Sequence, residues 1–206
     1  MGDIGLSMTD PKINNGNWVH GAMGILYGAT PVSNTDLNLV KAGSLFSYVK
    51  TVGVYKCPAD KKTVSVSGVQ LPTGRRMSMN AWLNPITPFS PTPRVYRKQG
   101  DITKPSPVNC FVFIDECSGI NGGTGTINDG FFVCEAFDGY QDQWIDCPAS
   151  YHNNACGLSF ADGHAEIKRW RDSKVLAQPN VPVFAPSDLP AAVDLRWLQE
   201  RSATTK

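Results

Sequence analysis

The pattern of apolar and polar positions divides the chain into recognisable pieces. Residues 108–115, Val-Asn-Cys-Phe-Val-Phe-Ile-Asp, form its strongest strand signal. The run is almost continuously apolar, as expected of a central strand covered on both faces. Residues 75–83 alternate, with Arg76, Ser78 and Asn80 set against Met77, Met79 and Ala81, which is a strand period. Residues 157–161 and 164–170 read as a hairpin around Asp162-Gly163. Asp-Gly suits a type I′ turn, in which both central residues need φ > 0. In the second strand Ala165 and Ile167 oppose Glu166 and Lys168, so one face is expected to be buried. Residues 130–137 give a further strand.

Residues 35–50 read as a helix, with Thr35 or Asn34 as cap and Asp36 in the first turn. Leu37, Val40, Leu45, Tyr48 and Val49 fall near one face, and Lys50 follows where a cation suits the helix dipole. Residues 187–201 form a short helix with Pro190 in its first turn, docked by Val193, Trp197 and Leu198. Residues 1–32 lack a clear period, and residues 85–107 hold six prolines in an irregular excursion. The expectation is one α+β domain over residues 1–206, a helix packed on a small antiparallel sheet with long loops, and flexible ends at 1–16 and 202–206.

Composition narrows the class. A length of 206 residues suffices for a real core. Net charge is +1 with both signs dispersed, so nothing marks a nucleic-acid partner. Apolar runs stop well short of the ~20 residues that span a bilayer. The six cysteines, Cys57, Cys110, Cys117, Cys134, Cys147 and Cys156, lack CxxC spacing, which argues against a structural zinc site. An even number in an exported chain suggests disulfides, and buried thiols are the alternative. Cys134 and Cys147 flank a loop that a bond between them would close. Cys110 and Cys117 flank one strand, and a bond between them would bend it.

Candidate chemistry falls in two places. His152, Asp162 and His164 offer acid–base or ligand groups within one short stretch. Upstream, the strand ends in Asp115-Glu116, a glycine-rich loop reaches Asn128-Asp129, and Asp138, Asp142 and Asp146 follow. Carboxylates, an amide and loop carbonyls suit calcium, although the spacing is not that of an EF-hand. Asp115, Glu116, Asn128, Asp129 and Asp146 are the expected ligands. Gly157-Leu158-Ser159-Phe160-Ala161 misses the G-x-S-x-G elbow, because an Asp-Gly turn follows where a helix is needed.

Several blocks in order carry a resemblance. His152, nine residues, then Asp162-Gly163 resembles the signature of the prepilin-type, processing-associated family of bacterial secreted proteins. Val54-Tyr55-Lys56-Cys57-Pro58-Ala59-Asp60, Arg76-Met77-Ser78-Met79-Asn80, Phe113-Ile114-Asp115-Glu116 with Ile127-Asn128-Asp129-Gly130, and the ending Asp194-Leu195-Arg196-Trp197-Leu198-Gln199-Glu200-Arg201 resemble its other blocks. The resemblance extends to the pseudopilins of type II secretion. It implies a pseudopilin-like fold, an extracytoplasmic location, calcium in the C-terminal loops, and partners among pseudopilin-like subunits or the secretion machinery. Members begin with a prepilin leader and a long hydrophobic helix, and often carry a cysteine on that helix that would pair with Cys57. Met1-Gly2-Asp3-Ile4 matches neither, so a soluble domain is expected.

Two functions follow. One is a structural or assembly protein that binds calcium. The other is a calcium- or other metal-dependent hydrolase of a small ester or lactone using His152, Asp162 and His164. A carbohydrate-binding role would use Trp18, Trp82, Trp144, Trp170 and Trp197 as stacking platforms.

Overall fold

The structure, a computed structural model, describes residues 16–21, 30–85, 87–117, 130–177, 185–187 and 192–206. It is α+β. Short helices α1 (Pro31–Thr35), α2 (Leu37–Lys41) and α3 (Phe46–Val49) lead into seven strands. These are β1 (Thr63–Val66), β2 (Val69–Pro72), β3 (Met77–Asn80), β4 (Phe111–Asp115), β5 (Phe131–Phe132), β6 (Ala155–Phe160) and β7 (Ala165–Arg169). Helices α4 (Ser173–Ala177) and α5 (Ala192–Gln199) follow. β1 and β2 form a separate hairpin, and the five-stranded sheet runs β5-β3-β4-β6-β7. β5 lies parallel to β3, and the other pairs are antiparallel.

The apolar run of β4 takes the centre of that sheet, with Phe111 and Ile114 fully buried. In β3 the polar members of the alternation face inward. Asn80 Nδ2 donates to the carbonyls of Phe111 and Ser202, each at 3.0 Å, and its Oδ1 accepts the Trp82 amide at 3.1 Å. Asn80 therefore joins β4 to the end of the chain. Residues 202–206, expected as a flexible end, are docked there: Ser202 is buried, and Arg94 N–H donates to Thr204 O at 2.7 Å.

The expected single helix at 35–50 is three pieces. Thr30 caps α1 through a capping box with Ser33, and Asp36 leaves helical geometry to cap α2 through Asn38 N–H. Gly43 then passes against the backbone of Trp18, where a Cβ would stand 2.2 Å from the Trp18 carbonyl oxygen. Lys50, at φ 58°, ends α3. The expected apolar face is divided: Val40 is buried and Leu45 and Val49 pack beside it, while Leu37 and Tyr48 are exposed, Tyr48 at 84%.

The Asp-Gly hairpin is present with a different turn. Ser159 pairs with Ala165, Gly163 N–H donates to Phe160 O, and Gly163 alone takes positive φ (98°) while Asp162 does not. That is a three-residue connection, a type I turn closed by a glycine bulge, in place of type I′. The type I′ geometry occurs instead at Ser67-Gly68, φ 50° and 85°, between β1 and β2. β7 is an edge strand with little burial, and Ile167 is 68% exposed, so the expected buried face of the hairpin belongs to β6. The strand expected at 130–137 pairs only through Phe131 and Phe132.

The main core joins Phe111, Ile114, Phe132, Trp144, Trp170 and Leu198 behind the sheet. α5 docks on it through Leu195 and Leu198, while Val193 faces solvent. Trp18, Trp82, Trp144 and Trp170 are all buried, which removes four of the five stacking platforms required by a carbohydrate site.

Candidate metal centre

Three side chains distant in sequence meet beside the end of β4. Cys57 lies in the turn Cys57-Pro58-Ala59-Asp60, closed by Asp60 N–H to Cys57 O at 3.0 Å. Proline in the second place of such a turn presets its φ. Asp60 is held by a buried ion pair, Arg76 Nε to Asp60 Oδ2 at 2.7 Å, with Lys56 Nζ at 3.7 Å. Asp115 ends β4. His152 stands in the turn before β6, where Asn153 and Asn154 both take positive φ (53° and 66°). Asparagine visits that region more readily than most residues. His152 N–H donates to Ala155 O at 3.0 Å, which closes the turn onto β6.

Cys57 Sγ lies 2.8 Å from His152 Nε2, and Asp115 Oδ2 lies 3.8 Å from the same nitrogen. One ligand atom from each residue falls within 4.8 Å of the others. Asp115 Oδ2 also accepts the Gly157 amide at 3.1 Å, and a Cβ at Gly157 would sit 3.4 Å from that oxygen. Glycine there lets the backbone approach the carboxylate closely. Asp115 is 3% exposed and its Oδ1 has no hydrogen bond. Burial pushes the Asp115 carboxyl up from its ordinary range, against smaller opposing effects of the Gly157 amide and His152. Burial also pushes the Cys57 thiol up, and the Asp115 charge adds to this. The Ala59 amide opposes it by donating to Cys57 Sγ at 3.3 Å. An amide aimed at sulfur favours the thiolate.

The residues expected to act together divide. His152 lies at one end of β6, and Asp162 and His164 lie at the other. Six residues of strand at ~3.3 Å each separate them by roughly 20 Å. Asp162 and His164 pair with each other, Oδ1 to Nδ1 at 2.6 Å, on the exposed hairpin tip. This contact holds the Asp162 carboxyl below its usual range. His164 stacks on Phe160 with ring centroids 4.3 Å apart. The expected trio is therefore not one site, and of its members only His152 joins the cluster.

The expected calcium ligands divide as well. Asp115 faces Cys57 and His152. Glu116, the next residue, points to the other side and accepts from Ser78 Oγ at 2.5 Å. Asp146 Oδ2 accepts the Val133 amide at 2.6 Å. Asn128 and Asp129 lie outside the described residues.

Cys57 was missed because nothing in its spacing points to His152 or Asp115. The local signal was the turn Cys-Pro-Ala-Asp, which lends its own amide to the sulfur. Among the described residues no helix is long and apolar enough to cross a membrane. Compared with family models, curated proteins and solved structures, the chain finds no match in any of the three.

Proposed function

We propose that this chain is the globular part of an extracytoplasmic, pseudopilin-like structural module, and that Cys57, Asp115 and His152 bind a divalent transition metal, zinc first. One observation carries the metal reading: Cys57 Sγ and Asp115 Oδ2 approach the same imidazole nitrogen, beside a buried carboxylate oxygen that lacks a hydrogen bond. In a thiol–imidazole–carboxylate relay the acid holds the other nitrogen, Nδ1. Convergence on one point is the arrangement that a shared ion requires. Thiolate and imidazole select zinc and its neighbours over calcium or magnesium. A bound dication would compensate the desolvated Asp115 carboxylate and bring the Cys57 thiol to thiolate.

The structural reading rests on the ordered sequence blocks, the α+β fold and the half-covered sheet face. Met79 and Val112 on that face line an open cavity of about 430 Å³ together with Trp18, Leu45 and Tyr48. Subunits of the same kind, or secretion machinery, are the partners proposed. Calcium takes oxygen donors, so it is assigned to none of the three clustered residues. The calcium proposal for the loop acids rests on Asn128 and Asp129 and on the resemblance.

The purified protein, exposed to zinc and dialysed, is expected to retain one metal per chain. Cobalt in its place should give a thiolate charge-transfer band, and Cys57→Ser should remove both signals. A wild-type chain that retains no metal, or equal retention in Cys57→Ser, Asp115→Asn and His152→Ala, would sink the metal reading. Cross-linking of the chain in its native cells tests the structural reading, which fails if only monomer is recovered.

A hydrolase is the second reading, favoured by the ligand number. Three protein ligands leave the fourth position of a tetrahedral zinc for water, and the His152 side chain is 35% exposed, so solvent reaches the site. His152 is then a ligand and not the base. Ester or lactone turnover should disappear with chelator and in Cys57→Ser, and persist in Asp162→Asn.

A further inference from the structure

Cys117 and Cys147 meet across a short antiparallel bridge. Glu116 and Pro148 pair as an isolated antiparallel bridge. On one side of it Ala149 N–H donates to Asp115 O, and on the other Cys117 N–H donates to Cys147 O, both at 2.8 Å. That register sets residue 117 directly opposite residue 147. Opposed residues in an antiparallel pair project to the same face, with Cα atoms ~5.5 Å apart at the hydrogen-bonded positions. The usual Cα separation of disulfide-bonded cysteines is about 5.5–6 Å. Both side chains are fully buried in the same apolar cluster. Burial pushes the Cys147 thiol up, and the neighbouring Cys117 adds to this.

The other four cysteines have different surroundings. Cys57 faces His152, and Cys110 belongs to a separate cluster with Trp82 and Tyr96. Cys156 is paired in register with Lys168. Cys134, the partner that loop length suggested for Cys147, shares the main cluster without standing opposite it.

We propose that Cys117 and Cys147 form a disulfide when the chain folds in the presence of a small-molecule disulfide oxidant. One cysteine thiolate attacks the oxidant, forming a mixed disulfide and releasing one thiol equivalent. The second cysteine thiolate then attacks the protein sulfur of that mixed disulfide. The Sγ–Sγ bond forms, a second thiol leaves, and the two cysteine protons go to solvent or to the departing thiolates. Two electrons pass from the cysteine pair to the oxidant. Because both sulfurs are closed off in the folded chain, the exchange belongs to folding, before the cluster shuts. The bond would fasten the end of the central strand β4 to the segment carrying Asp146 and Pro148. Cys57 takes no part, so this proposal stands or falls separately from the metal centre.

The test is refolding of the reduced chain with a mixture of oxidised and reduced glutathione, then alkylation under denaturing conditions and peptide mapping. Two of the six thiols should be protected, in one cross-linked peptide pair joining Cys117 to Cys147, with Cys57 alkylated. Reductant should lower the urea midpoint of the oxidised wild type and leave a Cys117→Ala/Cys147→Ala double variant unchanged. Alkylation of all six cysteines, a cross-link between any other pair, or protected thiols in the double variant would overturn the proposal.

Discussion

Asp115→Asn should act in opposite directions on the metal-free and metal-loaded protein. In the wild-type chain Asp115 is 3% exposed, its Oδ1 lacks a hydrogen bond, and its main compensation is the Gly157 amide on Oδ2. An unsatisfied buried polar group costs about 1–3 kcal/mol, more when charged. Asparagine keeps an acceptor for Gly157 N–H and removes the buried charge that the stranded oxygen shares. The metal-free variant should therefore be as stable as wild type or more stable, by about 1–2 kcal/mol. For a chain of this size that is a melting temperature raised by roughly 2–8 °C. With zinc at 1,000 times its dissociation constant, the wild type should gain about 4 kcal/mol by linkage, and the variant, lacking a ligand, much less. Thermal unfolding of both proteins, with chelator and with zinc, reads the four values. Two results would refute the reasoning. An equal zinc shift in both proteins would mean that Asp115 is not a ligand. A loss of more than ~2 kcal/mol in the metal-free variant would mean that Asp115 is a stabilising partner of charged His152, in the manner of a buried ion pair broken on one side.

Three further outcomes are expected. Arg76→Met leaves Asp60 buried with Lys56 as its remaining cation among the described residues, so urea unfolding should show a loss of about 3–5 kcal/mol, partly recovered by adding Asp60→Asn. The Asp115 pKa is raised in the folded chain, so protonation favours the fold. The stability of metal-free wild type relative to Asp115→Asn should rise as pH falls through the folded pKa toward the ordinary carboxylate value, and that gain should be lost as pH rises again. Over the same window retained zinc should fall, as protons compete for the ligands; a flat difference between the two proteins would contradict the burial argument. Asp162→Asn should alter neither metal content nor the cobalt spectrum, because Asp162 bonds to His164 on its own hairpin tip, at the far end of β6 from His152; a changed spectrum would place that tip in the site.

The parts of the fold that could be read along the chain are those made by neighbours. The apolar run of β4 implied a central strand because burial on both faces leaves no polar period. Asp162-Gly163 implied a hairpin because a glycine is needed where φ is positive. The turn type was missed because the hydrogen bonds of Phe160 to its partner strand admit three connecting residues where Asp-Gly alone suggests two. The helix at 35–50 was overextended because its period is real, yet Gly43 must yield its backbone to Trp18, a contact between segments far apart in sequence.

By itself the sequence determined the α+β class, the strands β3, β4 and β6, the hairpin into β7 and the short closing helix, since each depends on local period and turn chemistry. It also marked His152 and Asp115 as chemically notable. Tertiary structure alone decided that Asp115 and Glu116 face opposite sides, that Asp162 and His164 form a pair remote from His152, and that Cys57 completes a cluster with Asp115 and His152. The reason is register. Strand pairing sets β4 beside β6 and carries the turn before β6 to the end of β4, while the Arg76–Asp60 ion pair brings the cysteine turn to the same place. No spacing along the chain encodes that convergence.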